Sequence, residues 1–183
     1  MRETTISYKE AITREMTALG KKKNTVFLGE NIINSGRIYG TLDKVSIKRC
    51  IEMPVAENLI AGAAIGLAIA GYRPICIFQR MDFMLIAADQ IINHAALIPK
   101  MSGGSIKLPI IFRTIKGKLN DGFWVGYQHS KDLTYVFQPH MLIYNVPGYC
   151  DTALAYELAY EHREPVLVVE DYASYNKQKK KRR

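Results

Sequence analysis

Short apolar runs separated by longer stretches of helical spacing recur along this chain, and that alternation restricts the folds open to it. Residues 25–28, 74–78, 108–112, 141–146 and 166–169 read as strands, with 50–53 a weaker one closed by Pro54. Between them, residues 8–19, 57–70, 82–98 and 151–162 carry helical spacing, and 41–48 reads as a short helix. In the first of these, Ala11, Ile12, Met16 and Leu19 share one face, and Gly20 is placed to end the helix. The strands are apolar throughout rather than alternating, so both of their faces must be covered, as in parallel sheets whose crossover connections are helices. The expectation is a three-layer α/β fold, a mainly parallel sheet with helices on both faces.

With 183 residues, 48% of them apolar and 23% charged, the chain is long enough for one packed domain. The net charge is +8, but six basic residues fall among the last seven, from Lys177 to Arg183, which leaves only +2 for everything before them. The basic character belongs to a tail, residues 176–183, expected to be solvated and disordered, and not to a nucleic-acid-binding face. Cys50, Cys76 and Cys150 are widely spaced and odd in number, which fits a reduced, cytoplasmic protein better than a disulfide framework. The opening residues have no apolar stretch of the secretory type. The longest apolar run, residues 59–70, is 12 residues, short of the ~20 that span a membrane, so it belongs in a core.

Three features stand out against this background. The run 59–70 is apolar around its whole circumference, and Gly62 and Gly66 on one face permit close backbone approach. In the stretch 82–98, Asp89, Gln90, Asn93 and His94 form a narrow polar strip, which fits either a solvated edge or a subunit axis or site. Glu57 opens an otherwise uncharged helix, where free backbone N–H groups and the helix dipole favour a carboxylate. Spacing alone leaves it either a first-turn helix acid or a site residue.

The ordered set of Gly29-Glu30, Met53-Pro-Val-Ala-Glu57 with Gly62 and Gly66, Gly71-Tyr-Arg-Pro74, Phe83, Asp89-Gln-Ile-Ile-Asn93, Ala95-Ala96, Met101-Ser-Gly-Gly104, Pro109-Ile-Ile-Phe-Arg113 and Gln128-His-Ser130 resembles a known family. It is similar to the beta subunits of the thiamine-diphosphate-dependent 2-oxoacid dehydrogenases, of the pyruvate, branched-chain and acetoin type. The likeness continues through Asp151-Thr-Ala, Glu164-Pro-Val and Val169-Glu170. It implies a transketolase-like pyrimidine-binding domain of the thiamine diphosphate-binding fold over residues 1–175, without the C-terminal domain that follows in the family.

The resemblance implies roles for particular residues. Glu57 matches the glutamate that hydrogen-bonds the aminopyrimidine ring nitrogen of thiamine diphosphate and manages its proton. Phe83 matches an aromatic that stacks on the same ring, and Gln79 falls near it. His129 matches an active-site histidine concerned with the substrate carboxylate or acyl transfer, and Asp89 an acid lining a channel between paired sites. The family's diphosphate and magnesium motif, a Gly-Asp-Gly, does not occur here; Asn120-Asp-Gly122 is the nearest string. The resemblance therefore implies no metal ligands in this chain, with Mg2+ and the diphosphate held by an alpha-type partner subunit, in a homodimer or heterotetramer acting on a small 2-oxo acid. Lys131, Lys100 and the segment 115–120 depart from the family pattern and leave the substrate open. So do two other readings: a stand-alone half of a transketolase- or decarboxylase-like biosynthetic enzyme, and a catalytically silent scaffold.

Overall fold

A computed structural model describes residues 6–34, 36–117 and 127–177. Ser7 begins the first helix as its cap, accepting from the Glu10 amide at 3.2 Å while the Glu10 carboxylate accepts from the Ser7 amide at 2.6 Å. The helix that follows, α1, covers Tyr8–Lys21, passing through Gly20 to end at Lys22. Thereafter strands and helices alternate: β1 (Thr25–Gly29), β2 (Cys50–Glu52), α2 (Glu57–Ile69), β3 (Arg73–Phe78), a short α3 (Ile98–Met101), β4 (Ile111–Lys116), a single-turn α4 (Thr134–Phe137), β5 (Leu142–Val146), α5 (Tyr149–Glu161) and β6 (Val166–Asp171). The strands form one sheet in the order β2-β1-β3-β4-β6-β5, parallel at every pairing.

Alternate residues of each central strand go to opposite layers, which is why the runs are apolar throughout. Ile75 and Ile77 of β3 and Val166 and Val168 of β6 pack with Tyr8, Ile12 and Met16 of α1 and Tyr156 of α5. Cys76 and Phe78, with Leu167 and Val169, pack instead with Ile60, Ala64 and Ala68 of α2. The expected three-layer α/β architecture is thus the observed one.

Three expected elements differ. The helix expected over 82–98 is broken into a 3₁₀ turn (Met81–Leu85), a wide π-type turn (Gln90–Ala95) and α3. Asn93 donates to Asp89 Oδ1 at 2.9 Å and the Ala96 amide reaches back five residues to Ile91 O at 3.0 Å, while Pro99 has no N–H with which to continue a helix. The helix expected over 41–48 reduces to a 3₁₀ turn, Ile47–Arg49. Two of its carbonyls are taken instead by Arg37, whose guanidinium donates to Val45 O at 2.9 Å and to Asp43 O at 3.4 Å. The strand expected over 108–112 shifts to Ile111–Lys116, because Pro109 cannot donate to a ladder. The polybasic residues from 178 onward and the string Asn120-Asp-Gly122 lie outside the described residues.

Arg37, Ile38 and Tyr39 are all left-handed, with φ of 39°, 51° and 55°, between Gly36 and Gly40 at 77° and 79°. For residues other than glycine this costs of order 1–3 kcal/mol each, and it persists only where the surroundings determine it. Here the Arg37 contacts, Ile38 N to Asn31 O at 3.1 Å and Thr41 Oγ1 to Ile38 O at 2.8 Å hold it.

A buried polar network lies between the sheet and the layer of α1 and α5. Arg113 on β4 and Glu170 on β6 have fully buried side chains and pair through two hydrogen bonds, at 2.8 and 2.9 Å. Tyr156 and Tyr175 also donate to Glu170, and Arg113 Nη2 donates to Thr41 Oγ1 at 2.9 Å. Burial opposes the charge on Arg113, yet the adjoining Glu170 carboxylate holds it firmly protonated.

Candidate functional site

In an open parallel sheet, ligands gather outside the carboxyl ends of the strands at the point where the strand order reverses. Here the chain leaves β1 for β2 on one side, then returns to place β3 on the other. The ends of β1 and β3 approach so closely that a Cβ on Gly29 would fall 2.5 Å from Ile77 O, which accounts for glycine at that position. Just beyond this point lies a narrow cleft lined by Glu30, Glu57, Ile60, Ile77, Phe78, Gln79 and Phe83. Glu57, Phe83 and Gln79, which the sequence singles out from separate segments, therefore meet in one place.

Each side chain is delivered by a strand end or helix start. Glu57 is the first residue of α2 and only 6% exposed, at a helix start that has no side-chain cap. Its carboxylate lies where the unpaired amides of the first turn and the dipole favour negative charge. Glu30 follows β1 directly, and its carboxyl is pushed above the usual range by burial first, then by the neighbouring charges of Glu57 and Glu52. Glu52 ends β2 and accepts from the amides of Asn31, Ile32 and Ile33 at 2.6, 3.0 and 2.7 Å, fixing the backbone beyond Glu30.

His129 belongs to the same edge. The Gly117 amide at the end of β4 bonds to His129 O at 3.2 Å, and the imidazole, 8% exposed, meets the Phe83 ring edge-on with centroids 5.7 Å apart. Asp82 Oδ2 and Oδ1 lie 3.0 and 3.1 Å from its Nδ1, and Arg80 Nη1 lies 2.7 Å from its Nε2. The Arg80 guanidinium is also 5.7 Å from the Phe83 ring centroid and hydrogen-bonds the Tyr39 side chain, brought there by the left-handed turn.

Arg80, Asp82, Glu30, Glu52 and Tyr39 are the site residues that sequence reasoning missed. For the first two a signal existed: they are the only charges in the run 74–88, two residues apart. The polar strip is divided. Asp89, Asn93 and His94 are exposed, bonded to one another and apart from the cleft. Gln90 turns inward, and it is the neighbour that Gly62 approaches, 3.4 Å from where a Cβ would stand. Nothing lies within 4 Å of the corresponding point on Gly66, which is exposed along with Leu59 and Ile69. No helix among the described residues is long and apolar enough to cross a membrane.

Comparison with known proteins gives a consistent result. Residues 4–177 match the family described as "Transketolase, pyrimidine binding domain". The chain is 32% identical over 178 residues, 91% of its length, to the pyruvate dehydrogenase E1 component subunit beta of Cyanidium caldarium, of which this is 51%. It is 33% identical over 177 residues to the mitochondrial subunit of Bos taurus, covering 93% of this chain and 48% of that one. With the Rickettsia conorii subunit it shares 37% identity over 148 residues, 78% of this chain and 43% of the relative. The chain thus spans about half the length of these relatives. Among solved structures, a protein described as "Split gene transketolase, inactive beta4 tetramer" superposes with a TM-score of 0.63 at 17% identity, over 91% of this chain and 51% of that one, a likeness of fold.

Proposed function

The chain belongs to the transketolase pyrimidine-binding domain family, and from that premise we propose that it forms the pyrimidine-binding half of a thiamine-diphosphate active site acting on 2-oxo acids. In this reading a separate alpha-type subunit holds the diphosphate and Mg2+, and the two kinds of chain assemble as a heterotetramer. The observation that carries the proposal is the cleft itself: a nearly buried carboxylate at a helix start, faced by an aromatic ring, at the reversal point of a parallel sheet.

The residues present fit an aminopyrimidine. Glu57 is placed to hydrogen-bond a ring nitrogen and hold or return its proton, Phe83 offers a ring edge or face, and Ile60, Ile77 and Phe78 exclude water from the contact. Glu30, whose carboxyl retains its proton more readily than usual, lies beside Glu57 as a second proton-bearing group. Gln79 lines the same cleft and contributes an amide towards the ring, and His129 approaches from the far side of Phe83. When bound, the cofactor supplies the electron sink for cleavage beside a carbonyl. The protein's share is to bind, orient and manage protons.

Glu57→Gln tests this in the complex reconstituted with a diphosphate-binding subunit. The amide keeps size and hydrogen bonding but cannot exchange a proton. Hydrogen–deuterium exchange at the thiazolium carbon should slow by roughly 10²-fold or more, the range a positioned acid or base supplies, while cofactor binding survives. An unchanged exchange rate would leave Glu57 an ordinary helix-start acid and remove the proposal's basis.

A further inference from the structure

The turn that carries Glu30 is folded around a carboxylate. Glu52, the last residue of β2, is in register with Gly29, and the Met53 amide bonds to Gly29 O at 2.9 Å, so the end of β2 lies beside the exit of β1. From there Glu52 Oε1 accepts from the Asn31 amide at 2.6 Å, and Oε2 from those of Ile32 and Ile33 at 3.0 and 2.7 Å. Three successive amides converging on one point form an anion-binding nest, and here the chain supplies the anion itself. Asn31 makes the convergence possible with a left-handed backbone, φ 54°, which asparagine adopts more readily than most residues. Bonds from amides to a carboxylate are charge-assisted, stronger than those to a neutral acceptor. Glu30 is the residue between β1 and this nest. It lines the cleft with Glu57, yet among the described residues no hydrogen bond fixes its carboxyl, so the backbone on either side sets its direction.

We propose that Glu52 is a positioning residue of the cleft: by filling the nest of Asn31, Ile32 and Ile33 it turns Glu30 towards Glu57 and holds the two carboxyl groups side by side. The close approach of Gly29 to Ile77 O fixes where Glu30 begins, and the nest fixes where the chain goes after it. Two carboxyl groups held together in a partly desolvated cleft do not ionise independently, so the pair retains a proton there. The forces on Glu30 agree with this placement. Burial raises its carboxyl first, followed by the charge of Glu57 on α2 and then that of Glu52 on β2. This deepens the reading of the cleft as one that manages protons on an aminopyrimidine, and it rests on that reading for its purpose but not for its geometry.

The test follows the Glu30 side-chain carboxyl carbon against pH by ¹³C NMR in the full chain, with neither cofactor nor partner subunit. In the wild type, Glu57→Gln removes a charge that raises Glu30 and should move its midpoint down. In the Glu52→Gln background the same Glu57 substitution should leave the midpoint in place, because Glu30 no longer faces Glu57. Since Glu52→Gln itself removes a charge, the measure is the response to Glu57 and not the midpoint alone. Glu52→Asp keeps the charge on a side chain one methylene shorter, which cannot reach all three amides equally, and should give an intermediate response. The amide protons of Asn31, Ile32 and Ile33 should move upfield in both variants as those bonds weaken. Circular dichroism verifies that each variant is folded, and Glu52→Asp carries the test should Glu52→Gln not fold. A full Glu57 response in Glu52→Gln, or in Glu52→Asp where that is the variant that folds, would overturn the proposal. A wild-type Glu30 midpoint indifferent to Glu57→Gln would overturn it as well. The thiazolium exchange experiment reads a different complex, and its failure leaves this coupling intact, so the two ideas fail separately.

Discussion

Glu170→Gln is the substitution whose cost follows most directly from the geometry. The Glu170 carboxylate receives four donors: Arg113 Nε at 2.8 Å, Arg113 Nη2 at 2.9 Å, and the hydroxyls of Tyr156 and Tyr175. A carboxylate has about four lone-pair sites, so its capacity is filled; a glutamine oxygen has about two, and its NH₂ would face donors. Two donors at least lose their acceptor, and a fully buried guanidinium loses its counter-charge. Breaking such a pair from one side costs about 3–5 kcal/mol. For a chain of this length each kcal/mol lowers Tm by roughly 2–4 °C, so the variant should melt about 6–20 °C lower. Urea and thermal unfolding followed by circular dichroism measure both. Arg113→Met should cost a similar amount, but Arg113→Met/Glu170→Gln much less than the two together, because no unpaired charge then remains. A Glu170→Gln loss below about 1 kcal/mol, or strictly additive single variants, would refute this reasoning.

Two further expectations concern the ends of the first elements. Burial and the neighbouring carboxylates raise the folded Glu30 carboxyl above its unfolded value, so the folded chain binds that proton more tightly. The group's contribution to stability is complete below about pH 4.3 and is lost as pH rises through the raised folded value. Glu30→Gln should therefore be more stable than wild type at neutral pH and equal to it near pH 3, as urea unfolding at several pH values will show. Ser7→Ala removes half of the reciprocal cap on α1 and should cost about 1 kcal/mol in the same assay, with unchanged secondary structure.

Local pattern alone determined much of this protein. Continuous apolar runs specified β1, β3 and β6, because a strand covered on both faces has no solvated side to mark with polar residues. Helical spacing gave α1, α2 and α5, and the charge at the start of α2 marked Glu57 as exceptional. Periodicity is a short-range property, and these features depend on neighbours a few positions away.

The tertiary structure decided what joins distant positions. Arg113 and Glu170 are 57 residues apart, and His129 lies 47 from Asp82 and 49 from Arg80. Nothing in the spacing of either set shows that they meet. Their encounter depends on the order β3-β4-β6 and on the parallel register that puts Arg113 opposite Val168, with Glu170 two residues further along β6. Likewise, the helix expected over 82–98 gives way to a 3₁₀ turn at Met81–Leu85 and a wide turn at Gln90–Ala95, where the Ala96 amide reaches Ile91 O, against an apolar spacing that by itself favours continuity. Opposite charges and side-chain donors find partners through the packing of whole elements, so the chain specified locally where its helices and strands form, and only their assembly specified which polar groups face one another across the cleft.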